Sequence, residues 1–254
     1  MKTGVTVFLV IVTLIAGFVL GLVATEVFDD EDDEEETSSI TINEPYDPII
    51  NPADFTSTVD NPYYPLVPGT TFTYKETTED GVADIVVKAT NETKVIMGVK
   101  CVVVRDTATE DGAVVEDTYD WFSQDKNGNV WYFGEATTSY EDGGAGSTEG
   151  SWEAGVGDAK PGIAMPADPI VGMSYRQEYL KGEAEDMGQI VSLNNSITVP
   201  YGSFSGLLMT RDWSALEPGV AEHKYYAKGV GVILEELVEG EGSERAELVS
   251  VTTA

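Results

Sequence analysis

The stretch YDWFSQDKNGNVWYFGE, residues 119–135, contains the clearest secondary-structure signal in the sequence. Two runs rich in aromatic residues flank the short polar segment DKNGN at 125–129. Asn-Gly is the pair that type I′ turns of β-hairpins prefer, and aromatic residues are enriched in strands. An EF-hand calcium loop would instead need glycine at its sixth position and glutamate at its twelfth. The stretch therefore predicts a β-hairpin with a type I′ turn, and we expect no metal site there.

Short β-type runs separated by turn residues fill the rest of the chain from residue 61 to the C-terminus. TTFTYKETT at 70–78, for example, alternates large and polar residues, and no long amphipathic helical pattern interrupts such runs. We expect a mainly β domain, an antiparallel meander of about eight to ten strands curled into a half-barrel or barrel. The Gly- and Pro-rich stretch 143–173 predicts a long ordered loop over the sheet.

The N-terminal region predicts a membrane anchor followed by a tether. The segment from Val5 to Ala24 has no charged residue and is long enough to span a bilayer as a helix. Residues 1–28 are therefore predicted to be an uncleaved signal anchor, a transmembrane helix, with a cleaved signal peptide as the alternative. Lys2 precedes this segment and an acidic run follows it, so the remainder is expected on the extracytoplasmic side of the cell membrane. Residues 29–60, acidic and Pro-containing, predict a tether, and residues 61–254 form the β-domain.

The composition excludes some partners and suggests an environment. The chain has 45 acidic and 14 basic residues and a formal net charge of -31. Such a charge repels phosphate backbones, so we expect no nucleic-acid binding. The acidic residues are spread along the chain, which favours a surface kept soluble at high salt, as in halophilic organisms. An acidic patch for cations or a basic partner is the alternative.

Candidate catalytic residues are few. Cys101 is the single cysteine and lies in an apolar run, where inert packing is the default. His223 is the single histidine, and no GxSxG nucleophile elbow accompanies it. Among the many carboxylates, Asp120, Glu135 and Glu178 lie near aromatic residues and are the best candidates for a glycoside-hydrolase pair. We expect no enzymatic activity, no cofactor and no metal ion.

Aromatic residues provide candidates for a ligand site. A curled sheet can enclose an apolar ligand in a concavity lined by such side chains. The candidate ligand-binding residues are Trp121, Trp131, Tyr132, Phe133, Trp152, Tyr175 and Trp213. The alternative is that these side chains fill the core. Asn91 and Asn194 fit the N-glycosylation pattern, which would apply outside the cell.

Three segments carry a resemblance to a known class of proteins. They are NPYYPLVPGTTFTY at 61–74, VPYGSF at 199–204 and HKYYAKGVGVILE at 223–235. Their order resembles that of uncharacterised extracytoplasmic β-domain proteins, often lipoproteins, with the motifs PL..G..W.Y and WYA.GVGLV. Phe72 stands where Trp is common, and Tyr201 where Ala is common. Some of these proteins are similar to half-barrel lipoprotein-carrier and lipid-binding domains, which implies an outward location and an apolar ligand.

These observations lead to three hypotheses about function. The first is a membrane-anchored, extracytoplasmic, non-enzymatic β-domain that binds an apolar or amphipathic ligand or another component of the cell envelope, with a cell-envelope protein as a candidate partner. The second is a structural cell-surface protein that assembles through its sheet edge or loop face. The third is a carboxylate-based hydrolase. The first predicts a cavity of several hundred Å³, and the second predicts a filled core with an exposed strand edge or apolar patch. The third predicts two convergent carboxylates about 5–9.5 Å apart in a cleft.

Overall fold

The computed structural model describes residues 46–79, 81–140 and 146–254. They form fifteen strands and one short 3₁₀ helix, Pro52–Asp54. The strands are β1 Phe55–Thr56, β2 Thr70–Thr78, β3 Val82–Ile96, β4 Val99–Glu110, β5 Ala113–Asp125, β6 Val130–Ser139, β7 Trp152–Glu153, β8 Lys160–Met165, β9 Ser174–Arg176, β10 Glu178–Tyr179, β11 Asp186–Val199, β12 Gly202–Ser214, β13 Ala221–Ala227, β14 Gly231–Glu239 and β15 Glu244–Thr253.

The predicted N-terminal anchor lies outside the described residues. The same holds for residues 29–45 of the predicted tether. The described part of the chain contains no helix that is long and apolar enough to cross a bilayer.

One antiparallel sheet contains all of the strands. Its order is β10-β8-β6-β5-β4-β3-β2-β15-β14-β13-β12-β11-β9, with β1 paired to β5 and β7 paired to β6 outside this path. Two meanders, β2 to β6 and β11 to β15, are joined because the first long strand pairs with the last over most of its length. The predicted mainly β, antiparallel, barrel-like fold is confirmed.

The barrel is nearly closed, and the chain itself connects the two ends of the sheet. Strands β9 and β10 lie at opposite ends of the sheet order, yet only Gln177 separates them in sequence. The Gln177 N–H donates to the Asp186 carbonyl oxygen at 2.9 Å. Gly162 of β8 lies against this passage, where a Cβ would be 2.2 Å from the Gln177 carbonyl oxygen. A residue without a side chain is therefore required where the two sheet ends meet.

Two hairpins have type I′ turns, a turn type that the sequence analysis predicted only for residues 125–129. Met97 and Gly98 connect β3 to β4 with φ values of 49° and 79°, and Asp111 and Gly112 connect β4 to β5 with 48° and 83°. Positive φ at both central residues defines this turn and matches the twist of the strands.

The hairpin at residues 125–129 is confirmed, but its predicted type I′ turn is wrong. Gly128 has a φ of 95°, whereas Asn127 does not have positive φ. The Asp125 carboxylate accepts hydrogen bonds from the backbone N–H of Asn127 at 2.8 Å and of Asn129 at 3.0 Å. The Trp131 indole donates to the same carboxylate at 3.0 Å. The Asp125 side chain therefore stabilises a longer turn than the Asn-Gly pair predicts.

The strand count is higher than expected. Part of the predicted 143–173 loop, residues 152–153 and 160–165, forms β7 and β8, which pair with β6. Several strands have only two or three residues, which no sequence period can reveal.

The N-terminal part of the described chain packs onto the sheet before residue 61. The Tyr46 hydroxyl donates to the Pro161 carbonyl at 2.8 Å. Phe55 of β1 packs edge-on against Trp131 and Phe133, with ring centroids 6.0 and 5.6 Å apart. Residues 46–60 therefore belong to the packed body, although they were assigned by sequence to the tether.

One end of the barrel interior is filled by aromatic side chains. Tyr64 packs against Phe122 and Tyr226, with ring centroids 5.5 and 6.4 Å apart. Phe122 stacks on Tyr132 at 4.9 Å. The Gly229 N–H donates to the Pro62 carbonyl at 2.7 Å and holds this plug in place. The opposite end of the interior has a different chemistry.

Candidate functional site

Carboxyl groups line the interior at the other end of the barrel. Because the strands alternate in direction, the end of β4 and the start of β5 lie together, and so do the end of β12 and the start of β13. Asp120 faces Glu135 across β5 and β6, and Asp212 faces Glu222 across β12 and β13. The buried carboxyl residues are Glu76, Asp106, Glu116, Asp120, Glu135, Glu178, Asp186, Asp212, Glu222 and Glu235. We call this set the acidic interior.

A single lysine balances part of this charge. Lys224 of β13 is the only buried basic side chain of the described residues. Its Nζ lies 3.4 Å from Glu235 Oε2 and 3.8 Å from Asp212 Oδ2, on the two neighbouring strands. Burial lowers the pKa of Lys224, but Glu235, Asp212 and Glu222 outweigh this effect and raise it. Lys224 is therefore an ammonium held between two carboxyl groups.

Several other carboxyl groups of the set have raised pKa values. Burial, followed by repulsion from Asp120, raises the pKa of Glu116 to about 8. Burial also raises the pKa of Glu76 and of Asp120 to about 7. Burial and the charge of Asp120 hold the pKa of Asp106 well above its usual range. These carboxyl groups therefore stay protonated to a higher pH than usual, because burying so many negative charges beside a single cation, Lys224, is too costly.

Polar side chains anchor several of the carboxyl groups, among them Glu116, whose Oε1 accepts a hydrogen bond from the Thr118 hydroxyl at 3.4 Å. The Tyr132 hydroxyl donates to Asp120 Oδ1 at 2.9 Å. The Trp152 indole donates to Glu178 Oε2 at 2.8 Å, and Gln177 Nε2 donates to Asp212 Oδ2 at 3.1 Å. Other buried oxygens of the set, among them Asp212 Oδ1, accept no hydrogen bond of normal length from the described residues.

The seven aromatic residues predicted to bind a ligand do not line one concavity. Tyr132, Trp152 and Tyr175 are buried on the inner side beside the acidic interior. Trp121, Trp131 and Phe133 lie on the outer side, where Lys94 covers Trp121 at 3.2 Å and β1 covers the other two. Trp213 is half-buried on the outer side under Arg211, 5.2 Å away. Because successive side chains of a strand point to opposite faces of the sheet, the seven residues are divided between the inner and the outer face.

An apolar pocket lies beside the aromatic plug. It has a volume of about 30 Å³ and is lined by Tyr64, Pro65, Leu66, Phe72, Tyr74, Val87, Val230, Gly231 and Val232. None of the seven predicted aromatic residues lines it. Pockets that hold small-molecule ligands have volumes of about 300–1,000 Å³, so this pocket is too small for an acyl chain.

The three carboxylates considered for hydrolysis are brought together. Asp120 and Glu135 are direct cross-strand neighbours, and both raise the pKa of Tyr132 between them, after burial. Glu178 interacts electrostatically with Glu135. All three are buried in the acidic interior and do not line an open cleft.

The remaining catalytic candidates occupy structural positions. Cys101 is buried, and burial raises the pKa of its thiol to about 12. His223 is half-buried on the outer face and packs edge-on against Tyr225, with ring centroids 6.3 Å apart. Asn91 and Asn194 are both exposed.

A second feature is a two-stranded ribbon at the ends of β11 and β12, residues 191–207. On its other side, β11 pairs only with β9, and only at residues 187–189. On its other side, β12 pairs only with β13, and only at residues 208–212. Within the ribbon, each strand therefore has the other as its only strand partner among the described residues. The Tyr201 N–H at the tip donates to the Leu248 carbonyl at 3.0 Å. We call residues 191–207 the ribbon.

The ribbon has an unusual composition for this chain. No charged residue occurs from Met187 to Thr210, although charged residues make up 23% of the sequence. Ile197 and Phe204 lie directly opposite each other, and Tyr201 stacks on Phe204 with ring centroids 6.2 Å apart. Tyr201 is 43% exposed. Our sequence interpretation missed this segment, although counting charges along the chain would have revealed it.

Comparisons with known proteins give limited similarity. A protein assigned as exported, with a YMCC-like fold, from Bacteroides fragilis has a TM-score of 0.45 and 14% identity, over 75% of this chain and 99% of that one. A protein assigned as a lipoprotein from Parabacteroides distasonis has a TM-score of 0.41 and 13% identity, over 75% and 98%. No protein-family model and no curated protein matches the sequence. With TM-scores below 0.5, the two structures do not determine the fold or the function of this chain.

Proposed function

We propose that this chain is a non-enzymatic β-domain that works outside the cytoplasm, anchored by its apolar N-terminal segment, and that it binds a protein of the cell envelope through the ribbon. The observation that carries the proposal is the combination of an uncharged segment with strand edges that lack partners. Exposed edges normally carry charges that prevent further pairing, and the ribbon has none, although it contains Pro200 and register shifts away from its tip. Depletion of charged residues is also the compositional mark of an interface core.

In the ribbon, the free edge of β12 continues the edge that pairs with β13 at residues 208–212. Residues 202–205 of β12 pair with residues 196–199 of β11 without a shift, and the register shifts lie further from the tip, between Ile190 and Asn195 on β11 and at Gly206 on β12. Val199 and Gly202 close a two-residue hairpin, so the N–H and C=O of Ser203 point away from β11. The same applies to Ser205, two residues further. A partner strand would add to β12 beyond the end of β13, by main-chain hydrogen bonds.

The contents of the barrel favour this function over storage of an apolar ligand. The apolar pocket has about 30 Å³, and buried aromatic side chains and buried carboxyl groups line the two ends of the interior. The net charge of -31 disfavours a second copy of this chain as the partner, because two such surfaces repel each other. We therefore commit to a different protein with an exposed strand.

Site-specific photo-crosslinking in the producing cells tests the proposal. A photoreactive residue at Ser205 should yield one discrete crosslinked product. The same residue at Val86, which is exposed on a strand paired on both sides, should not. Identical patterns from both positions, or no product from Ser205, would overturn the proposal.

A proline pair sharpens this experiment. Ser203→Pro removes an N–H on the free edge of β12, whereas Thr198→Pro removes the equivalent N–H on the opposite edge, of β11. We expect the Ser205 crosslink to disappear in the Ser203 variant and to persist in the Thr198 variant. Loss in both variants or in neither contradicts strand addition to β12.

A further inference from the structure

We propose that Lys224 and Asp212 condense to form an intramolecular amide bond that joins β12 covalently to β13. The proposal does not depend on the ribbon or its partner, because it concerns side chains in the acidic interior. It assigns a modification site to the only buried lysine of the described residues.

The first support is the arrangement of three side chains on adjacent strands. Lys224 lies on the middle strand, with Asp212 on one side and Glu235 on the other, at 3.8 and 3.4 Å. The exposed fractions of Lys224, Asp212 and Glu235 are 4%, 2% and 3%. The nucleophile, the electrophile and a proton carrier are thus held together by the sheet. Such positioning replaces a bimolecular encounter by an intramolecular one.

The hydrogen bonds of Asp212 are asymmetric, which identifies it as the electrophile. Oδ2 accepts a hydrogen bond from Gln177 Nε2 at 3.1 Å, a donor that stabilises negative charge on this oxygen. Oδ1 is buried and accepts no hydrogen bond of normal length from the described residues, although the Thr210 side chain also interacts with the Asp212 carboxyl group. The buried Tyr175 hydroxyl lies beside Asp212 and also has no hydrogen-bond partner among these residues.

Glu235 suits the role of proton carrier. It is closer to Lys224 Nζ than Asp212 is, and it forms a carboxyl pair with Glu222. Burial and the charge of Glu235 raise the pKa of Glu222 well above its usual range, so the pair holds a proton near neutral pH. Glu235 can therefore accept and return a proton without contact with water.

The reaction is a balanced condensation. Glu235 transfers one proton from the Lys224 ammonium to Asp212 Oδ1, which leaves a neutral amine and a carboxylic acid. The amine electron pair forms a bond to Asp212 Cγ, and a C–O electron pair moves to Oδ2. The second proton passes from nitrogen to the Oδ1 hydroxyl, which leaves as water while the C=O bond re-forms. No oxidant, reductant or further reactant is needed.

The surroundings favour the amide product. An ion pair in a dry interior loses much of its hydration, whereas a neutral amide does not carry this cost. Burial also keeps out the water that would hydrolyse the bond. The retained proton on Lys224 opposes the first step, because Glu235 and Asp212 raise its pKa despite burial. We therefore expect slow completion after folding rather than an immediate reaction.

Peptide mapping by tandem mass spectrometry of the full-length protein tests the proposal. We expect a branched peptide that joins Lys224 to Asp212 and has lost the mass of one water molecule. This readout does not depend on how the N-terminus is processed. Unjoined peptides in protein aged after purification, or a branch from Lys224 to Glu235, would overturn the assignment.

Variants provide the matched controls. Glu235→Gln removes the proton carrier and should abolish the branched peptide. Lys94→Met removes a lysine from a different ion pair, with Glu153 at 2.7 Å, which is partly exposed. This variant should leave the branched peptide intact. Persistence of the branch in the Glu235 variant contradicts the mechanism. If this variant does not fold, the wild-type peptide map alone decides the proposal.

Discussion

The two ends of the barrel interior are equally dry but differ in chemistry. Phe122 at one end and Asp120 and Thr118 at the other are all fully buried. At the plugged end, burial of apolar surface stabilises the fold at any pH. At the acidic end, the same degree of burial is tolerated only while the carboxyl groups are protonated or paired. The pH, rather than the extent of burial, therefore determines what the acidic interior contributes to the free energy of unfolding.

The largest expected effect is the pH dependence of unfolding. Buried carboxyl groups with raised pKa values bind protons more tightly in the folded state, so their stabilising effect is complete below about pH 4.5, the unfolded value, and decreases as the pH rises. For Glu76, Asp120 and Glu116 the loss extends to about pH 7–8. A difference of one pKa unit between the folded and unfolded states corresponds to about 1.4 kcal/mol. The loss summed over several such groups is therefore comparable to the whole free energy of unfolding of a domain.

Urea denaturation between pH 5 and pH 9 measures this effect. We expect the midpoint to decrease strongly over this range. A midpoint that is constant or rises with pH would show that the two ends of the interior respond alike.

The next effect is a truncation at the plugged end. Phe122→Ala removes a fully buried ring that packs against Tyr64 and Tyr132. We expect a loss of about 3–5 kcal/mol in the free energy of unfolding, from lost burial and the cavity left behind. The loss should be the same at pH 5 and pH 7 in urea denaturation. A loss that depends on pH would contradict the separation of the two ends.

A smaller effect, opposite in sign, is expected at the acidic end. Glu116→Gln removes a group whose pKa burial raises to about 8 and should change the stability little at pH 5. At pH 9 it should stabilise the protein by about 2–4 kcal/mol, because no buried charge forms there. Destabilisation at pH 9 would mean that the Glu116 carboxylate has a counterion.

The smallest effect is expected one residue away, on the outer face. Asp117 pairs with Arg105 at 2.7 Å, and the Arg105 side chain is 46% exposed. Asp117→Asn should therefore cost about 0.2–1 kcal/mol, and salt should diminish this cost. Asp117 and Glu116 are neighbours on β5 but lie on opposite faces of the sheet. Comparing their variants by the same denaturation assay therefore shows how much the inner or outer position of a carboxyl group determines its effect. A larger cost for Asp117 would contradict this account.

Local patterns predicted a large part of the fold. Aromatic and β-branched runs predicted the long strands, and the polar segment at 125–129 predicted the hairpin between β5 and β6. The turn type was wrong, since the Asp125 side chain, and not the Asn-Gly pair, organises this turn. Strands of two residues, such as β7, form only because a neighbouring strand offers an edge, which no local pattern records.

The sequence by itself determined that the chain is acidic, that it folds into antiparallel strands and that residues 187–210 carry no charge. It also determined, by period two, that Glu116, Thr118 and Asp120 share one face of β5. Only the tertiary structure decided that this polar face points inward. Alternation fixes which side chains lie together but not which side of the sheet is covered. Closure of the barrel through Gln177 enclosed that face, and the pairing of β13 with β12 and β14 placed Lys224 between Asp212 and Glu235.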